Sequence, residues 1–363
     1  MKSDTSNRIL WIDSLKGFCI IFVVLGHALL GYLQKQTYPD CAGMFQLAKD
    51  WIYTWHMPLF FVLSGITFRL SCLKENRLNT QKLRRSTLNL LIIYLIFATA
   101  LPLLKIVFSA FVNNTVHPSQ VIRLILLPTT PMWYIWVLII YDWVFAAIHY
   151  AVGQGGNKRR LAALMLLLAA VALTGNILYQ TGVLVIVCLR NMLKCGLFFA
   201  AGIYFNEIKP ILLSKASLAA SAIIAAASAF YMVCTYLITP YRSLLINSVF
   251  ISLLNTASLC VLLIALFSSV KRAGENQLLI FLGINSLFIY LLHTYFVTAM
   301  RVIAVKLHIG IASIGLLAAT LIPLAICSAA AVAVPHIPMV RALFRPMEAI
   351  DRIKAKKAAY PNG

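Results

Sequence analysis

Acidic residues are scarce in this chain. Ten Asp and Glu stand among 363 residues against 31 Lys and Arg, and charged residues of both signs make up only 11%. With 61% hydrophobic residues and a mean hydropathy of +0.89, this excludes a soluble domain. It implies an all-α polytopic membrane protein. Cys-x-x-Cys pairs are also missing. The eight cysteines fall mostly in apolar runs, which excludes a disulfide framework or a zinc ribbon and suits small core side chains. A charged n-region followed by a small-residue cleavage site is absent too, so the first apolar stretch is expected to stay in place as the first span. No basic domain exists either. The formal net charge of +21 is scattered in short segments between apolar runs, which points to membrane lipids and an anionic substrate and away from nucleic acid.

What is present begins with the stretch from Arg8 to Gly31, long and apolar enough to cross a bilayer yet carrying Asp13, Lys16 and His27. Lys16 and His27 are eleven positions apart, and eleven steps of ~100° return to nearly the same helix face, ~16 Å apart along the axis. Asp13 falls within ~40° of that face. Ionisable groups in hydrocarbon are costly, so this stripe reads as function or as an internal polar network.

About ten spans are expected, roughly at 9–32, 47–69, 86–112, 132–152, 161–180, 183–205, 211–238, 244–270, 278–300 and 312–336. Residues 1–340 then form a transmembrane domain and 341–363 a basic cytoplasmic tail ending in polar, disordered residues. Loop two, Arg69 to Arg85, is strongly basic. Loop three holds Asn113 and Asn114 and a short apolar piece, Ile122 to Leu127, suited to the interface or to re-entry. Loop four is a flexible turn, Gly153 to Asn157, followed by Lys158, Arg159 and Arg160. With both termini in the cytoplasm, 21 of the 31 cations, Lys2 among them, lie inside and seven, including Arg242 and Arg301, outside, as the positive-inside rule asks. Trp51, Tyr53 and Trp55, then Trp133, Tyr134 and Trp136, sit where spans two and four enter from outside. In this orientation His27, His56 and His293 all fall in the outer half of the membrane.

His27 is the first candidate for proton transfer, since an imidazole near pKa 6.5 takes and returns a proton at working pH. His56 lies beside Pro58, which frees a backbone carbonyl and breaks or kinks the helix. Asn285, Ser286 and Tyr290 precede His293 and either bind a ligand or join helices. Lys82, Arg84 and Arg85 are either an ordinary positive-inside cluster or a phosphate clamp. Arg190 and Lys194, four apart on one face, could pair with Asp142 and leave a net positive site for an anion. Carboxylates near the histidines are few and no His-x-x-x-His occurs, so no metal is expected.

The ordered set Asp13-x-x-Lys16-Gly17, Leu25-Gly26-His27, Trp55-His56-Met57-Pro58-Leu59-Phe60-Phe61-x-x-Ser64-Gly65, Trp133-Tyr134-x-x-x-Leu138, Phe198-Phe199-x-x-Gly202 and Gly283-x-Asn285-Ser286-Leu287-x-x-Tyr290-Leu291-Leu292-His293 resembles the acyltransferase 3 family, closest to its fucose 4-O-acetylase-like branch. The resemblance implies an inner-membrane O-acyltransferase, usually acetyl-CoA-dependent, acting on cell-surface or exported glycans, without the esterase-like domain of longer members. It carries the family's helix-one histidine onto His27 and the cation eleven residues earlier, commonly arginine, onto Lys16. The basic patch before helix three falls on Arg84 and Arg85, with Lys82 where arginine is often seen. In this reading His27, Lys16, Asp13 and His56 carry the chemistry, with Asp13 orienting or neutralising Lys16. Opened backbone near Pro58 positions the acceptor or stabilises the oxyanion. Lys82, Arg84 and Arg85 hold acetyl-CoA. Ser64, Trp133, Asp142, Arg190, Lys194, Asn285, Ser286 and His293 meet a glycan or lipid-linked glycan. A transporter or flippase for an anionic amphiphile is the rival class, and a non-catalytic assembly factor a third.

Overall fold

The computed structural model describes residues 8–74, 77–109, 115–128, 131–152, 158–238 and 249–359. Lys2, Asn113, Asn114, the Gly153 to Asn157 turn and Arg242 lie outside the described residues. The chain is an all-α polytopic membrane protein, as lipid demands: helices satisfy their own backbone groups where no water can. In chain order its elements are α1 (Leu10–Gln34), α2 (Ala42–Cys72), β1 (Leu73–Lys74), β2 (Arg77–Leu78), α3 (Thr80–Val107), α4 (Val121–Leu126), α5 (Trp133–Val152), α6 (Lys158–Gln180), α7 (Val187–Ile203), α8 (Phe205–Leu212) and α9 (Lys215–Ile238). Then follow α10 (Val249–Ser269), α11 (Lys271–Gly274), α12 (Gln277–Ile284), α13 (Ser286–Lys306), α14 (Ala312–Ala333), α15 (Pro338–Phe344) and α16 (Pro346–Ala359). The strands form a minimal antiparallel hairpin, Leu73 opposite Leu78.

Among the described residues eight helices are long and apolar enough to cross a membrane, and the α7–α8 pair, bent by 91°, makes a ninth. The expected tenth coincides with α2. Its 31 residues are ample in length, but Tyr53, Thr54, Trp55, His56 and Pro58 dilute its hydropathy. Such a helix needs protein around it rather than lipid, and Trp55, Leu59, Phe61 and Leu63 are wholly buried. The α7–α8 bend is braced from α2, where Arg69 pairs with Glu207 at 2.8 Å and donates to Ile203 O at 3.2 Å.

Two glycine pairs bring the central helices together. A Cβ at Gly17 would lie 1.9 Å from Leu279 O, and one at Gly283 1.7 Å from Asp13 O. At Gly65 and Gly202 it would lie 2.1 Å from Phe199 O and from Val62 O. Backbone meets backbone at both crossings, α1 on α12 and α2 on α7, a mode of packing that small residues permit.

Three local expectations change. Helix α2 runs through Pro58 unbroken. Proline deprives the carbonyl four residues earlier of its donor, and that carbonyl, Thr54 O, instead accepts from the Thr256 hydroxyl of α10 at 2.9 Å. The freed backbone group is therefore engaged by protein, and no opened backbone is left for an oxyanion. The span expected at 278–300 is two helices parted at Asn285, whose side chain donates back to Phe281 O at 2.8 Å. The loop expected up to Arg85 already becomes helix at Thr80. Asn79 caps it, its side chain accepting from Lys82 N at 2.9 Å, so Lys82, Arg84 and Arg85 ride on the first two turns of α3. The tail from Arg341 is carried by two helices, α15 and α16, parted at Arg345, and docks on α3. Loop three's apolar piece is α4, held to α3 by a hydrogen bond from the Tyr94 hydroxyl to Ile125 O.

Candidate active site

Two adjoining cavities and a cluster of rings lie between the basic end of the bundle and its interior. The outer cavity, 510 Å³, is bounded by Lys82, Arg85, Ser86 and Asn89 of α3 and by the tail helices. Its volume lies within the ~300–1,000 Å³ of small-molecule sites. Lys82 and Arg85 are three apart on one face of α3. Arg84, ~100° round the helix, is exposed and lines neither cavity. Of the three expected clamp cations, two share a pocket.

The second cavity shares Ser71, Cys72 and Ser86 with the first, so the two adjoin. It holds 210 Å³, more than the ~150 Å³ void that admits a benzene but too narrow for a nucleotide. Lys16, Thr67 and Asp142 line it, with Ser64, Ser286, Tyr134 and Tyr290. Lys16 donates to Thr67 Oγ1 at 3.1 Å, and that hydroxyl donates on to Leu63 O at 2.7 Å. Ser64 Oγ and the Tyr134 hydroxyl are 2.7 Å apart.

Asp142 does not pair with Arg190 or Lys194. Its neighbour Tyr141 faces α7, donating to Met192 O, and the next residue on a helix points ~100° away, here into the cavity that Lys16 lines. Arg190 instead donates to Asn176 Oδ1 at 3.4 Å and lies over the Tyr179 ring at 4.3 Å. Asp13 pairs with Arg8 at 3.6 Å and stays out of the cavity, though Lys16 feels its charge.

From the inner end of this cavity aromatic rings lead to the histidines. Tyr134 and Tyr290 have centroids 5.5 Å apart, Tyr290 and His293 5.9 Å, and His293 and His27 5.0 Å. Tyr53 lies 6.4 Å from His27 and 5.0 Å from His56. His56 is within electrostatic reach of both His27 and Lys194. Three histidines from α1, α2 and α13 thus converge on one region.

Two of the three have fixed tautomers. His293 Nδ1 lies 2.8 Å from Tyr290 O and 3.1 Å from Ile289 O, and His56 Nδ1 lies 2.6 Å from Ile52 O. A carbonyl only accepts, so Nδ1 must carry the hydrogen and Nε2 is the basic nitrogen in each ring. His293 Nε2 is buried and has no hydrogen-bond partner among the described residues.

Of the remaining expected residues, Trp133 packs against Phe61, centroids 5.9 Å apart, and Asn285 bonds within its own helix break. Sequence reasoning passed over Thr67, read Tyr53 and Tyr134 as interfacial aromatics, and offered Tyr290 only as a ligand contact or a join between helices. The available signal was spacing: Tyr53 stands three residues before His56 and Tyr290 three before His293, each on its histidine's helix face.

A family model described as an acyltransferase domain matches residues 9–335, from the cap of α1 to just beyond α14. No curated protein and no solved structure matches the chain. The match covers both cavities' α-helical walls except the tail, and all three histidines. The chain belongs to the acyltransferase 3 family and is a multi-pass membrane acyltransferase.

Proposed function

We propose that the protein moves an acyl group, acetyl in the simplest case, from cytoplasmic acyl-CoA to a hydroxyl of a cell-surface or exported glycan at the cytoplasmic membrane. Both termini and the basic mouth then face the cytoplasm, in keeping with the cation distribution. The observation that carries this reading is the order of groups: Lys82 and Arg85 on one cavity, Lys16 and Tyr290 on the cavity adjoining it, and His293 and His27 packed ring to ring behind Tyr290.

Nucleotide phosphates rest on Lys82 and Arg85 in the wide cavity. The slender thioester arm enters the narrow one, where Lys16 and the Ser64 and Tyr134 hydroxyls are donors along its length. At the histidines an acceptor hydroxyl arrives from the other side. His27 takes its proton as the oxygen attacks the thioester carbonyl. The tetrahedral oxyanion collapses, the carbon–sulfur bond breaks, and the proton passes from His27 to the departing thiolate. Ester and free CoA result. His293, with Nε2 unprotonated and its ring against His27, stabilises the imidazolium between those two steps. In a covalent variant His27 itself accepts the acyl group first. Lys194, within reach of His56, and Arg190 near it on α7 lie toward the acceptor.

Inverted membrane vesicles from cells expressing the protein, given acetyl-CoA labelled in the acetyl group, are expected to accumulate label in alkali-labile esters of the extracted glycan. Right-side-out vesicles given the same donor should not. Label movement that needs no thioester would identify a flippase, and equal labelling from both faces would overturn the assigned direction.

A further inference from the structure

The tail helices do more than follow the last span. Helix α15 is anchored by Phe344, whose ring lies 4.2 Å from Phe288 and 5.4 Å from Phe97. Helix α16 starts against α3, with Met347 N 3.5 Å from Asn89 Oδ1. This docking puts Phe344, Arg345, Met347 and Glu348 into the wall of the 510 Å³ cavity, facing Lys82 and Arg85. Arg85 forms an ion pair with Asp351. Arg345 is held by Glu348 at 3.2 Å, and Glu348 also takes Arg341 at 2.6 Å.

The charges in this wall are unbalanced for a resting structure. Lys82, Arg84 and Arg85 sit in the first turns of α3, where the helix dipole disfavours cations and favours an anion. In a chain with ten carboxylates, two are spent here. Glu348 remains ionised easily: partial burial pushes its pKa up, but the hydrogen bonds and charges of Arg341 and Arg345 outweigh that and hold it below the usual carboxylate range. The Arg85–Asp351 pair is about half exposed on both sides, and exposed pairs are weak, up to ~1 kcal/mol. A weak internal pair on a cation clamp is readily exchanged for a multiply charged ligand.

We propose that the C-terminal helices complete the donor mouth: Arg345 supplies its third cation, while Asp351 and Glu348 occupy the cations as stand-ins for phosphate until a phosphorylated nucleoside such as the 3′-phospho-ADP end of CoA displaces them. This rests on the donor-site reading above and adds a gate to it. Entry of the donor and release of α16 from α3 become one exchange of anions, and an acyl-CoA-free protein keeps its mouth covered.

Binding of CoA to the full-length protein in lipid nanodiscs tests it. Asp351→Asn is expected to tighten CoA binding by ~2- to 5-fold, the span a pair of up to ~1 kcal/mol allows. Arg345→Ala should weaken it several-fold. Hydrogen exchange on the unaltered protein gives the same answer without any variant: CoA should speed exchange over residues 346–354 and slow it over the first turns of α3. Unchanged or weaker binding by Asp351→Asn, unchanged binding by Arg345→Ala, or slower exchange in α16 would each overturn the gate. Arg85→Ala separates the two levels. If it loses CoA while Asp351→Asn is neutral, the donor site stands and the gate fails. If Arg85→Ala binds CoA normally, the donor site itself is wrong.

Discussion

His27→Ala is expected to lower acyl transfer by ~10²- to 10⁴-fold, the usual worth of a positioned general base. Its effect should fall on kcat. His27 lines neither cavity, so CoA affinity should stay within about twofold. The variant should also insert and fold, because His27 is only partly buried and its ring contacts are other rings. Steady-state kinetics with labelled acetyl-CoA, alongside CoA binding by the same preparation, check both halves. A variant keeping more than a tenth of the activity would remove His27 as the base. The duty would then pass to His293, whose Nε2 is oriented by two backbone carbonyls.

The second large effect is on the donor. Charge-assisted hydrogen bonds contribute ~1.5–3 kcal/mol each, and partial exposure at this mouth reduces that, so about tenfold per cation is expected. Lys82→Ala with Arg85→Ala should raise the KM for acetyl-CoA ~100-fold with kcat nearly unchanged, since the histidines lie beyond the second cavity. Arg84→Ala should change KM by no more than about twofold, because its side chain points away from both cavities. An equal effect at all three positions would mean that bulk positive charge, and not a pocket, attracts the donor.

Much of this architecture is legible in the chain itself. Long apolar runs separated by cation-rich turns place most helices to within a few residues, because hydrocarbon leaves the backbone little alternative. The eleven-residue interval from Lys16 to His27 likewise carries to the structure: one group opens on a cavity and the other on the ring cluster at its far end. What composition could not convey was rotation and partnership. Asp142 and Arg190 looked like a pair across two spans, yet Tyr141 takes the face toward α7 and turns Asp142 the other way. Pro58 promised a broken helix, but Thr256, about 200 residues along the chain, supplies the missing donor. The tail looked like a basic appendage because its two useful acids, Glu348 and Asp351, are outnumbered locally and meet their partners only through tertiary docking. Tyr53 and Tyr134 were hidden among ordinary interfacial aromatics.

The most direct measurement fills the narrow cavity. Ser64→Trp places an indole between Lys16 and Tyr290, beyond the phosphate pocket and short of the histidines. CoA binding should remain within about threefold of the unaltered protein while acetyl transfer falls to background. Transfer at an undiminished rate through a filled cavity would show that the donor reaches His27 by another route, or not at all.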